Sequence, residues 1–150
     1  MIDILVYLFA NYHDFKARPK TRAPRRRLSA VGFSAAAIGE ALQWLDGLSD
    51  RPVVELADSH GRMRIYTRPE QNKLVGIDCL GFVAVLEANR LLSPAMRETA
   101  IDRAMILNDD PVPLAKFKII VLMVLWSREQ DMEPLIVEEL LDDGGTHLLH

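Results

Sequence analysis

KFKIIVLMVLW, residues 116–126, carries charge only in its first turn and is apolar on every side after Lys118. A helix without a polar face has no side to turn to water, so this stretch predicts a central, fully buried helix with others packed around it. Its unbroken apolar part, Ile119 to Trp126, is eight residues long, far short of the roughly 20 that cross a bilayer.

Outward from this stretch the second half of the chain is helical throughout. Leu135 to Leu141 predicts a last amphipathic turn or two. On the N-terminal side, Ser93-Pro94 opens a helix with Met96, Ala100, Ile101, Ala104, Met105 and Leu107 inward, ending before Asp109-Asp110-Pro111. Ile77, Leu80, Phe82, Val83 and Leu86 mark the helix before it, ending near Leu92. Thr67, with Glu70 three residues on and Pro69 between, forms the sequence of a capping box.

The first half reads differently. Ile2, Leu5, Val6, Phe9 and Tyr12 or His13 fall on one face of a first helix, predicted to end near Phe15. A short helix from about Arg26 to Val31 stops at Gly32, and Ser34 caps a third from Ala35 to Leu48. Its inward positions are Ile38, Ala41, Leu42, Leu45 and Leu48, with Trp44 beside them. Val53, Val54 and Leu56, the turn-rich Asp58-Ser59-His60-Gly61, and alternating Met63 to Tyr66 give a hairpin signal. Three helices and a hairpin make a winged-helix-like unit over residues 1–66. The fold expectation is therefore a mainly α chain, that unit packed on a C-terminal helical bundle over 67–150 and sharing its core.

Net charge is −3, but it is divided. Residues 1–73 hold 12 Lys/Arg against 8 Asp/Glu, and residues 74–150 hold 6 against 13. The basic excess sits in the linker 16–27, with Lys16, Arg18, Lys20, Arg22, Arg25, Arg26 and Arg27 and no acid. Like charges at that density repel, and Pro19 and Pro24 disfavour helix, so an extended, solvated segment is expected. The opening MIDILVYLFANYHDF superficially resembles a signal peptide, but Asp3 stands where positive charge belongs and no small-residue cleavage site follows. One cysteine, Cys79, fits a reducing compartment. A cytoplasmic protein without a membrane partner is expected.

Catalytic and metal signatures are absent from the sequence. His147 and His150 stand three apart beside Gly144-Gly145, while His13, His60 and Cys79 are scattered. Metal binding needs three or four converging ligands, so no metal site and no cofactor is expected. Cys79, in an apolar helix, reads as a core thiol. There is no phosphate loop, nucleophile elbow, zincin or kinase signature. The acid pairs Asp109-Asp110, Glu138-Glu139 and Asp142-Asp143 are sequence neighbours that do not face one another on a helix.

A helix-turn-helix reads bases with cationic or amide side chains on its second helix. Here that helix carries Glu40, Gln43 and Asp46 as its strongly polar residues and no cation. Two carboxylates are repelled by phosphates, so nucleic-acid contact is left to the linker cations together with Arg62, Arg64 and Arg68 near the hairpin.

Five blocks resemble one family: IDILVYLFANY (2–12), LSAVGFSAAAIGEALQWLDGL (28–48), MRIYTRPE (63–70), GFVAVLEANRLLSPAMRETAIDRAM (81–105) and KFKIIVLMVLW. Together with the Leu149-His150 ending they are similar to the Smg proteins of proteobacteria, the DUF494 family. The resemblance implies no catalytic residue, cofactor or substrate. It implies a link to DNA processing by association, since relatives' genes lie near those of a DNA-processing protein and a topoisomerase-like zinc-finger protein. The leading expectation is a non-enzymatic interaction module with a protein partner. The alternative is a nucleic-acid-associated accessory factor acting through the basic linker, Arg62, Arg64 and Arg68.

Overall fold

A computed structural model of the chain describes residues 1–11, 28–49, 65–74, 77–109, 111–128 and 134–141. In chain order the helices are α1 Ile2–Asn11, α2 Ala35–Ser49, α3 Arg68–Lys73, α4 Ile77–Ala88, α5 Pro94–Met105, α6 Leu114–Ser127 and α7 Pro134–Leu141. Residues 28–31 are helical as well.

The centre is α6, where every residue from Phe117 to Trp126 is buried. Helices α1, α5 and α7 make its most extensive contacts, with α2 and α4 also against it. Ile4, Leu5 and Leu8 of α1, Ile38, Ala41, Trp44, Leu45 and Leu48 of α2, and Ala100, Ile101 and Ala104 of α5 join it in one cluster. Each fully buried Leu, Ile or Phe there contributes about 1.5–3 kcal/mol. Phe9 meets Trp126 edge to face, with centroids 5.7 Å apart, which fixes where α1 crosses α6. Lys118 is the charge this helix must accommodate. Its Nζ reaches Glu139 of α7 at 3.0 Å and lies 5.5 Å from the Phe82 ring centroid, so the stem is buried and the head is paired.

Local signals set the helix ends. The Ser34 hydroxyl accepts from the Ala37 amide at 3.2 Å. Thr67 and Glu70 form the reciprocal capping box, and Ser93 accepts from the Met96 amide. Gly32 takes φ +113°, with the Phe33 amide donating to Leu28 O and the Gly32 amide to Ser29 O. These two bonds are a Schellman ending.

The same ending stops α4 earlier than the sequence indicates. Arg90 has φ +58°, with the Leu91 amide donating to Leu86 O and its own amide to Glu87 O. The helix therefore finishes at Ala88 rather than near Leu92, and no glycine announces it. Helix α5 closes at Met105, with Ile106 in right-handed conformation after it. Predicted residues 12–15 of the first helix lie outside the described residues.

The winged-helix-like unit with its β-hairpin gains no support, for the described residues contain no strand. Of the hairpin 53–66 they include only Ile65 and Tyr66, both outside any regular element. Ile65 is 89% exposed, and the Tyr66 carbonyl accepts from the Gln71 side chain at 3.0 Å. The end of the alternating pattern thus serves the start of α3. No helix of the described residues is long and apolar enough to cross a membrane.

Candidate functional site

Of the residues expected to contact nucleic acid, Lys16, Arg18, Lys20, Arg22, Arg25, Arg26, Arg27, Arg62 and Arg64 lie outside the described residues. Arg68 is described and exposed, at the first position of α3. His147 and His150 also lie outside. Cys79 is fully buried, its thiol 3.6 Å from Val112 O, as a core thiol is. Among the described residues no three His, Cys, Asp or Glu stand close enough to hold a metal.

The described charges that fold inward are basic. Arg97, 5% exposed, pairs with Glu87 at 2.9 Å and Glu98 at 2.7 Å, joining α4 to α5 across the Arg90 turn. Arg103 is the more consequential one. Its Nη2 donates to Trp44 O at 2.7 Å, its guanidinium carbon lies 4.9 Å from the Trp44 ring centroid, and the Trp44 indole N–H donates to Arg103 O at 3.4 Å. Gly47 makes the approach possible. A Cβ there would lie 2.6 Å from Arg103 Nη1 and 2.9 Å from its Cζ. The cation that α2 lacks in its own sequence is thus supplied near its C-terminal end from α5, where the helix dipole favours it.

Above this junction a pocket of about 230 Å³ opens between α2 and the end of α5. Glu40, Gln43 and Trp44 form its α2 side, and Arg103, Ile106, Leu107 and Asn108 the other, with Met1 at the edge. Ile106 is 55% exposed although apolar. The Glu40 carboxylate and the Gln43 and Asn108 side-chain amides have no intramolecular partner among the described residues. Besides the Met1 α-ammonium, two side-chain cations stand nearby and both turn inward. Arg103, 7% exposed, is held by Trp44, and Lys73 donates its Nζ to Leu107 O. The exposed carboxylate of the pocket is Glu40.

Such a site has apolar walls and, among the described residues, polar groups free to bond a visitor. The sequence marks Glu40 and Gln43, with Asp46, as the strongly polar residues of α2, but gives no sign of Arg103, Gly47, Ile106 or Asn108. A single arginine in a mixed-polarity helix carries no signal that it is buried.

The family model described as "Protein of unknown function (DUF494)" matches residues 1–150. The chain is 46% identical over 153 residues to a "Protein Smg homolog" of Bordetella petrii, covering all of both chains. It is 43% identical over 151 residues to the protein of that name from Leptothrix cholodnii, again over all of both. The one from Aromatoleum aromaticum is 45% identical over 150 residues, covering 99% of this chain and 97% of the relative. No solved structure matches the chain.

Proposed function

The chain belongs to the DUF494 family, and from that premise we propose that it is a non-enzymatic interaction module of the bacterial cytoplasm that takes hold of a protein partner. The observation that carries this reading is the pocket between α2 and α5. It sets an exposed Ile106 among three polar side chains without intramolecular partners. A small apolar depression with a polar rim is the form that protein hot spots take. The inward cations fit the same reading, since Arg97, Arg103 and Lys118 hold helices together and leave the outer face of α2 to carboxylates and an amide.

The alternative is an accessory factor in DNA processing, and it draws on seven cations within Lys16 to Arg27. Affinity purification of the full chain from its native host, with and without nuclease, separates the two. A protein retained in stoichiometric amount after nuclease supports the interaction module. Recovery that vanishes with nuclease supports the alternative.

A further inference from the structure

We infer that the pocket between α2 and α5 receives an arginine side chain presented by the partner, a step that rests on the interaction-module reading above. The Glu40 carboxylate and the side-chain oxygens of Gln43 and Asn108 are acceptors drawn from α2 and from the bend that follows α5, and none is used within the described residues. Glu40 has no ion pair with any described cation, the Met1 α-ammonium included. A guanidinium presents five N–H donors in a planar fork, matching one carboxylate and flanking amide oxygens better than the point charge of an ammonium.

The rest of the pocket suits the stem of that side chain. Ile106, Leu107 and the Met1 side chain offer apolar wall, and a volume of about 230 Å³ is enough for one long side chain. The Arg103 charge is not offered to an anionic visitor, because it is already directed to Trp44 O and packed against Gly47. The C-terminal end of α5 adds the negative end of a helix dipole at the same wall.

The test uses isotope-labelled full-length chain and acetyl-Leu-Arg-Leu-amide, followed through the Trp44 indole N–H and the Gln43 and Asn108 side-chain amide signals. Two further peptides carry citrulline (neutral, same shape) or glutamate at the centre. The arginine peptide is expected to shift all three signals saturably. The citrulline peptide should bind about tenfold more weakly, and Glu40→Gln should bring the arginine peptide to the same level. Glu40 is exposed, so its variant is expected to keep the fold. Equal binding of citrulline, preference for glutamate, or no saturable shift at these groups overturns the inference. So does a shift of the same signals, without peptide, when Arg25, Arg26 and Arg27 are changed to Gln, because the chain's own linker would then be the occupant. A partner captured from the host that binds Glu40→Gln undiminished removes the arginine assignment and leaves the module reading standing.

Discussion

Arg103 and Trp44, 59 residues apart in sequence, exchange hydrogen bonds across α2 and α5: guanidinium to Trp44 O at 2.7 Å, indole N–H to Arg103 O at 3.4 Å. Each residue supplies both a donor and an acceptor, so neither helix can slide without breaking the pair. The contact forms the floor of the pocket. It also depends on a third residue, because Gly47 leaves room where any side chain would meet the guanidinium.

That dependence predicts a change of sign. In the wild type, Gly47→Ala pushes Arg103 off Trp44 O, and losing a charge-assisted hydrogen bond of about 1.5–3 kcal/mol outweighs the helix-propensity gain of about 0.5–1 kcal/mol. Net destabilisation of about 1–2 kcal/mol is expected. In an Arg103→Met background the obstacle is gone, and the same substitution should stabilise by up to about 1 kcal/mol. Urea unfolding of the four proteins measures it. Stabilisation by Gly47→Ala in the wild type would show that the helices do not approach so closely.

The central helix gives the second prediction. Leu122 is fully buried in the middle of α6, so Leu122→Asp places a carboxylate among apolar neighbours. The cost of several kcal/mol is a large part of a domain's whole stability of about 5–15 kcal/mol. Loss of cooperative unfolding, followed by circular dichroism, is expected. A cooperatively folding variant would place this helix elsewhere.

Arg90 offers a gain instead of a loss. Its φ of +58° is a conformation that costs a side-chain-bearing residue about 1 kcal/mol, and glycine adopts it freely. Arg90→Gly should raise stability by roughly 0.5–1 kcal/mol despite the greater freedom of glycine in the unfolded chain. A fall in the urea midpoint would mean that the α4 ending is not left-handed.

Nucleic-acid affinity, where it exists, should follow charge and not α2. Binding to unrelated duplexes is expected to be similar and to weaken steeply with salt. Neutralising Arg25, Arg26 and Arg27 should reduce the log–log slope by up to roughly 3 units, at about 0.9 per phosphate. Glu40→Ala and Gln43→Ala should leave it unchanged. The check is a salt titration of fluorescence anisotropy on two duplexes. A strong preference for one duplex, abolished by Gln43→Ala, would make α2 a base-reading helix after all.

What could be read in the sequence was what local physics dictates. The buried α6 followed from an apolar run without a polar face, and the starts of α2, α3 and α5 from Ser34, Thr67 and Ser93, each acting on an amide three residues on. The Arg90 turn was hidden because the usual glycine is missing. The hairpin expectation rests on Val53, Val54 and Leu56, the turn 58–61 and the alternation from Met63 to Tyr66, and of these the described residues include Ile65 and Tyr66, which lead into a capping box. The pocket was illegible because it depends on Arg103 meeting Trp44 and Gly47 across a long separation, which no spacing rule encodes.

The claim that this face of α2 and α5 grips a protein is tested most directly by site-specific photo-crosslinking in the native host. A photoreactive residue at Ile106 lies on the pocket wall. At Leu135, 73% exposed on α7 and outside the pocket, it serves as an equally apolar control. The account predicts one discrete protein adduct from position 106 that persists after nuclease, and none of comparable yield from position 135. An adduct from 135 with nothing from 106, or adducts to nucleic acid alone, would contradict it.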